Sequence, residues 1–195
     1  MFKQHTLSNT IEQDIAKVNS VLRELSNYDS PNEYKPLIHI IESNHDLAIN
    51  VWLKNNDFKD DPVNAVLYLD CMLALYKHIE SEGNSNFNML EYVCTKSQKL
   101  PNVIYHETDE SVVIAGVEHG CHGHVGINGS RGSPLQYSTL GIKINTGHTH
   151  TPSIVGGCYT AGCCELEMGY NIGPSSWRLA STITWPNGQR QISFS

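Results

Sequence analysis

The chain has no apolar run near the ~18 residues that a membrane-crossing helix needs, so no membrane span is expected. Its N-terminus is polar and lacks the apolar core of a secretion signal, which points to the cytoplasm. Basic residues are scarce: 13 Lys and Arg stand against 20 Asp and Glu, a formal net charge of -7. That balance argues against broad binding along phosphate backbones. It leaves room for a nucleic acid gripped locally through metal ions. No C-x-x-C pair occurs among the six cysteines, and their spacing forms no regular framework. Reduced thiols in a cytosolic protein fit this usage. Internal repeats, low-complexity tracts and linkers are also missing, and 195 residues can bury one sizeable core. A single domain over residues 1–195 is the expectation, with a helix and turn over 1–35 and a site-bearing portion over 36–195.

Histidine is what the chain has in quantity. Five of its ten histidines lie within residues 112–150, in two glycine-bearing loops: Glu118-His-Gly-Cys-His-Gly-His124 and Gly147-His-Thr-His150. The lead-in Val112-Val-Ile-Ala115 is apolar and β-branched and reads as a buried strand. Residues 141–146 alternate as a second strand before His148 and His150. A strand that runs into a loop rich in His and Gly is where an α/β protein places its site.

In chain order, Ile11, Ile15, Val18, Leu22 and Leu25 mark one helical face, and Thr10 with Gln13 forms a capping-box pattern at its start. Residues 36–41 read as a short apolar strand, in which His39 reads as a packed or edge residue rather than a ligand. The strand ends in Glu42-Ser-Asn-His-Asp46, which is either a helix N-cap cluster before residues 47–54 or part of the site. Pro62 fits the first turn of a helix that runs to about Glu82 and stops at Gly83. Apolar residues cover so much of that helix that it is buried on more than one side or packs against something outside the chain. A short helix is expected within 86–96, then strands over 102–106 and 111–117. Residues 153–160 read as a strand broken by two glycines, and 163–168 as another strand. There the vicinal Cys163 and Cys164 point to opposite faces, which disfavours a joint metal site. Asn187-Gly188 supplies the tight turn of a closing hairpin.

The chemistry follows from residue types. Asn44, His122, His148 and His150 are neutral N and O donors at three strand ends. Such donors suit Mn, Fe, Zn or Ni better than Ca or Mg alone. On an extended segment the i, i+2 spacing of His148 and His150 would put both rings on one side.

Three of these blocks, in this order, resemble the calcineurin-like metallophosphoesterases: Ser43-Asn-His-Asp46 their Gly-Asn-His-Asp block, His122-Gly-His124 their His-Gly block, and Gly147-His-Thr-His150 their Gly-His-x-His block. The run through Asn128-Gly-Ser-Arg-Gly132, Gly147-His-Thr-His-Thr-Pro152 and Gly173-Pro-Ser-Ser-Trp177 is similar to tailed-phage members of that superfamily, among them early proteins linked to DNase activity and DNA transfer. The resemblance covers about residues 36–195. It implies an α/β fold, the C-terminal part of a β-sandwich flanked by helices. It also implies that Asn44, His122 and His148 hold one metal and His150 another, with Mn the expected ion. His45 would contact the scissile phosphate or protonate the leaving oxygen, and Asp46 would orient it. Arg131 would pair with a substrate phosphate or stand as an exposed loop arginine. His124 would face the substrate, and His119 and His124 flank the proposed ligand.

Two family blocks, Asp-x-His and Gly-Asp-x-x-Asp, have no counterpart upstream of Asn44, and Ser43 replaces the usual Gly. The missing acids include the carboxylate expected to bridge the two metals. The two-metal site is therefore expected to be incomplete in this chain. The implied function is the C-terminal portion of a phosphodiesterase or nuclease acting on DNA in the host cytoplasm. It would need a longer chain that carries the missing acids, or act within a homo-oligomer. The rival expectation is a non-catalytic regulatory or scaffolding subunit associated with the full-length enzyme.

Overall fold

The computed structural model describes residues 10–28, 34–165, 169 and 173–195. The chain forms two compact units: Met1–Ile40 with His45–Tyr105, and Ile41–Asn44 with His106–Ser195.

The first unit is helical. Helix α1 (Ile11–Ser26) starts at the capping box that the sequence marks, with the Thr10 hydroxyl accepting from Gln13 N at 3.2 Å and the Gln13 side chain accepting from Thr10 N at 2.7 Å. Strand β1 (Ile38–Ile41) leads to α2 (Ala48–Asn55), α3 (Ala65–Glu82) and α4 (Met89–Thr95), and β2 (Val103–His106) pairs with β1. Helix α3 stops where Gly83 turns left-handed at φ 69°, a conformation that glycine adopts without steric cost. Leu53, Leu67, Cys71, Met89, Val93 and Cys94 form the buried core, and Trp52 meets Tyr68 edge-on at 5.3 Å. Asp70 accepts from Lys96 at 2.7 Å and from the Tyr92 hydroxyl at 3.0 Å, and the ammonium holds its carboxyl below the usual range. The outward face of α3 stays apolar: Val66 is 78% exposed, and Leu69, Leu73 and Tyr76 continue the exposed stripe.

The second unit carries most of the sheet. Strands β3 (Val113–Ile114), β4 (Val117–Glu118), β5 (Ile144–Thr146), β6 (Ser153–Val155) and β7 (Cys158–Thr160) form one sheet in the order β3-β4-β5-β7-β6. The β4–β5 and β5–β7 pairs are parallel and the outer pairs are antiparallel hairpins. All three residues of β5 are buried. Helix α5 (Pro134–Ser138) lies in the β4-to-β5 connection and lays Tyr137 over Ile144 and Cys158. Strands β8 (Ala180–Thr184) and β9 (Arg190–Phe194) make a separate hairpin. The architecture is thus mixed α/β, with helices and three small sheets.

Several local expectations change. The stretch 112–115 is not a buried strand: Ala115 and Gly116 both take positive φ and fold it into the β3–β4 hairpin, so Val113 is 64% exposed. Strands β1 and β3 belong to different sheets. The glycines at 156 and 157 do not break one strand; they form the two-residue turn between β6 and β7. In the β8–β9 turn only Gly188 takes positive φ. Trp185 N bonds the Gln189 carbonyl and Gly188 N the Trp185 carbonyl, so the turn is longer than a two-residue hairpin. The segment 163–168 is described only as far as Glu165; Cys163 there bridges Leu179, and residues 166–168 lie outside the described residues.

Candidate functional site

The parallel strands β4 and β5 end at Glu118 and Thr146, and both histidine loops begin there. Ligand sites of α/β sheets gather at such carboxyl ends. Two backbone bonds join the loops: Gly147 N and His148 N both donate to the His122 carbonyl, at 2.9 and 3.0 Å. Gly123 makes this approach feasible. Its φ is 110°, and a Cβ there would stand 3.2 Å from Thr146 Cβ and 3.3 Å from His148 Cβ. A third segment of the same unit, Ile41–Asn44, is anchored through Glu42. Glu42 N donates to His106 O at 3.1 Å, while its buried carboxylate accepts from Thr108 N at 3.2 Å and Thr108 Oγ1 at 2.6 Å.

These three segments meet at one atom. Asn44 Oδ1 lies 3.1 Å from His122 Nε2 and 3.1 Å from His148 Nδ1. A carboxamide oxygen only accepts, so in this state both ring nitrogens carry the proton and donate to it. The N-cap position of α2 is Leu47, whose side chain makes no cap bond. The His122 and His148 rings stand 5.3 Å apart, and His124 joins them at 5.5 and 6.0 Å. His124 Nδ1 is buried without a hydrogen-bond partner, a state that costs free energy unless something fills it.

Donors about 2.0–2.2 Å from a transition metal lie roughly 2.8–3.6 Å from one another at octahedral or tetrahedral angles. Both Asn44 edges have that length. The residues therefore fit one ion held by two imidazoles and a carboxamide, after a tautomer change that moves each ring proton to the other nitrogen. The set contains no acid: among the described residues no group of three or more His, Cys, Asp or Glu is placed to hold an ion. Burial pushes the neighbouring Cys121 thiol up to about 11.

The remaining candidates fall elsewhere. The segment after Thr146 turns instead of extending, and His150 takes φ 58°. His148 and His150 consequently face different rings, and His150 meets the Trp177 indole edge-on at 4.6 Å. His45 and Asp46 belong to the first unit, where their carbonyls accept from Ala48 N and Ile49 N at the start of α2. Arg131 is exposed, with its backbone bridged to Val125. His119 lies 3.5 Å from both Asn145 Nδ2 and Thr184 Oγ1.

Sequence reasoning missed the support behind β5. Arg190 donates to Ile144 O and Gly157 O at 2.9 Å and to Asn145 Oδ1 at 3.2 Å, and stacks over Tyr159 at 4.0 Å. The Tyr137 hydroxyl donates to the Val125 carbonyl, just after the first histidine loop. No local pattern marks such long-range pairs.

With this geometry in place, the chain was compared with known proteins. No protein-family model matches it, and no solved structure matches it. Over 157 residues it is 53% identical to Protein A1 of Escherichia phage T5, an alignment that covers 78% of this chain and 28% of that protein. The chain thus spans under a third of the length of the curated relative it matches, and that relative is a bacteriophage protein, in keeping with the phage likeness of the glycine-rich blocks.

Proposed function

We propose that the chain is a metal-binding portion of a phosphodiesterase or nuclease, with DNA as the substrate. The observation that carries this reading is the shared Asn44 Oδ1, 3.1 Å from a nitrogen of each of two histidines on adjacent strand ends. The unpartnered His124 Nδ1 beside them adds support. Asn44, His122 and His148 would hold the ion, Mn by resemblance, with His150 available toward a second. A bound ion of this kind acidifies water and neutralises charge on a phosphate.

The protein's own groups do the rest. The backbone bonds from Gly147 and His148 to His122 keep the two loops in register. Asn44 fixes the orientation of both rings. His45, which follows Asn44 in the chain, would give a proton to the leaving oxygen, with Asp46 setting its tautomer. Arg131 and His124 would face the phosphate. In this reading the β-sandwich is completed, and the bridging carboxylate supplied, by a longer chain bearing the missing acids.

One observation favours a second reading, a regulatory or scaffolding subunit: among the described residues no group of three or more His, Cys, Asp or Glu is placed to hold an ion. Metal analysis and turnover separate the two. The purified chain should retain Mn that His148→Ala loses, and it should hydrolyse bis-p-nitrophenyl phosphate only when a longer chain bearing the acids is added. Equal metal in both proteins would end the metal reading. Metal without added turnover would favour the subunit, and turnover by the isolated chain that vanishes in His45→Ala would show that other acids serve.

A further inference from the structure

Beyond His150 the second unit opens into a groove of about 400 Å³ lined by Trp177, Arg178, Leu179 and Phe194, with Ser175 and Ser195 at its rim. Its wall is tied to the histidine loop in three ways. The Trp177 indole packs edge-on against the His150 ring at 4.6 Å. Arg178 N donates to the His150 carbonyl at 3.4 Å, and the hydroxyls of Thr151 and Ser176 meet at 2.8 Å. A molecule lying in the groove therefore lies beside the loop that carries His148.

The lining is specific in its chemistry. Phe194 ends β9 with its ring 61% exposed, so the phenyl serves no core. Arg178 is exposed next to it in the groove. An indole, a phenyl and a guanidinium around one groove are the groups that bind single-stranded nucleic acid: aromatic faces stack on bases of any identity, and arginine takes the neighbouring phosphate in a forked pair of hydrogen bonds. The volume is near the lower end of ligand pockets, which run from about 300 to 1,000 Å³. It suits one base with its sugar and does not admit a duplex. The net charge of -7 removes the alternative of a broad basic track. A nucleic acid on this chain has to be held at a few local points, and stacking is the interaction that needs least positive charge.

We propose that this groove is a nucleotide subsite: Trp177 and Phe194 hold a base of a single strand, and Arg178 holds the phosphate next to it, leading the strand toward the histidine site. This rests on the phosphodiesterase reading for its substrate class, but not on metal occupancy.

The test measures fluorescence anisotropy of a labelled short oligothymidylate with the full chain in EDTA, and repeats it on His148→Ala. Trp177→Ala should weaken binding roughly tenfold, and Trp177→Phe should restore most of it. Phe194→Ala should weaken binding too. Arg178→Gln should lower the salt slope by about one phosphate contact. Oligouridylate in a parallel arm tells whether the strand is DNA or RNA; tighter binding of either supports the subsite. Blunt duplex should bind more weakly. Wild-type affinity in both Trp177→Ala and Phe194→Ala would overturn the proposal. So would no binding by the wild-type chain, or competition by inorganic phosphate as strong as that by thymidine monophosphate. If His148→Ala keeps its metal while Trp177→Ala loses the oligonucleotide, the groove stands and the metal reading falls. The opposite pattern removes the groove alone.

Discussion

The first unit buries Leu53, Leu67, Cys71, Met89, Val93 and Cys94 in one cluster, yet leaves apolar stripes on the outside of α1 and α3. The second unit buries a cluster of only Tyr137, Ile144 and Cys158 and closes its sheet with polar links. Arg190 supplies three of these, Tyr137 one and the Glu118 carboxylate three more. Apolar burial is non-directional and tolerates adjustment, whereas hydrogen bonds fix atoms to fractions of an ångström. A unit that sets Asn44 Oδ1 against two imidazoles gains from the second kind of packing. The first unit rests on the larger apolar cluster, with polar links such as Asp70 to Lys96 and Tyr92 at its edge.

The largest effect expected from breaking this contrast is in the helical unit. Leu67 is only 2% exposed within the core cluster. Leu67→Ala should lower stability by about 2–5 kcal/mol, the transfer cost plus the cavity left behind. Urea unfolding followed by far-ultraviolet circular dichroism measures it, and a loss under about 1 kcal/mol would mean that the site collapses or is already loose.

Arg190 is the matching test in the second unit. Arg190→Ala removes a donor from the Ile144 carbonyl, the Asn145 side chain and the Gly157 carbonyl, the last of which keeps Ile144 N. Losing a charged donor from part-buried acceptors should cost about 2–3 kcal/mol. Arg190→Lys should recover only part of it, because an ammonium can donate to these acceptors but does not stack on the Tyr159 ring as the planar guanidinium does. Equal midpoints for the Ala and Lys variants would show that stacking on Tyr159 matters more than the hydrogen bonds.

How far these features could be read beforehand differs between the units for the same physical reason. Helix ends rest on contacts three or four residues apart, so Thr10 with Gln13 and Gly83 announced themselves in the sequence. Sheet pairing depends on turns, and the positive φ of Ala115 is not visible in a run of β-branched neighbours. Residues 112–115 therefore read as buried, whereas only Val112 is. At the site, residue types pointed to Asn44, His122 and His148, and the geometry brings these three together. The different surroundings of His150 depend on its left-handed backbone, and those of His124 on the approach of the two loops. The Arg190 contacts span more than thirty residues, beyond any local pattern.

The exposed stripe of α3 sharpens the comparison without a large stability cost. Val66, Leu69, Leu73 and Tyr76 recur at intervals of three, four and three, all outward. That spacing is the seam a second helix packs along, and so large an apolar face is seldom left bare. Light scattering should find the chain associated with itself, or with a longer chain added to it. Leu69→Glu with Leu73→Glu should return it to monomer while shifting the urea midpoint by less than about 1 kcal/mol, as surface substitutions do. A wild-type chain that stays monomeric alone and with the longer chain would remove this expectation.

The smallest effect concerns Glu118, at the end of β4. Burial pulls its carboxyl upward, but hydrogen bonds from the Ser111 hydroxyl and from Gly120 N and Val112 N outweigh burial and hold it below the usual 4.5. A depressed acid stabilises the fold above its unfolded pKa, and that contribution disappears as pH falls through the folded value. Glu118→Gln keeps one oxygen for the two backbone donors but loses the charge and the oxygen that accepts from the Ser111 hydroxyl, so at about pH 7 it should be less stable by roughly 0.5–1.5 kcal/mol. The gap between the two proteins should begin to close only below 4.5 and should vanish once the native carboxylate is protonated. Urea midpoints of both proteins across this range decide the matter. A gap that persists undiminished at the acid end would mean that side-chain shape, and not the carboxylate charge, holds the β3–β4 hairpin against the first histidine loop.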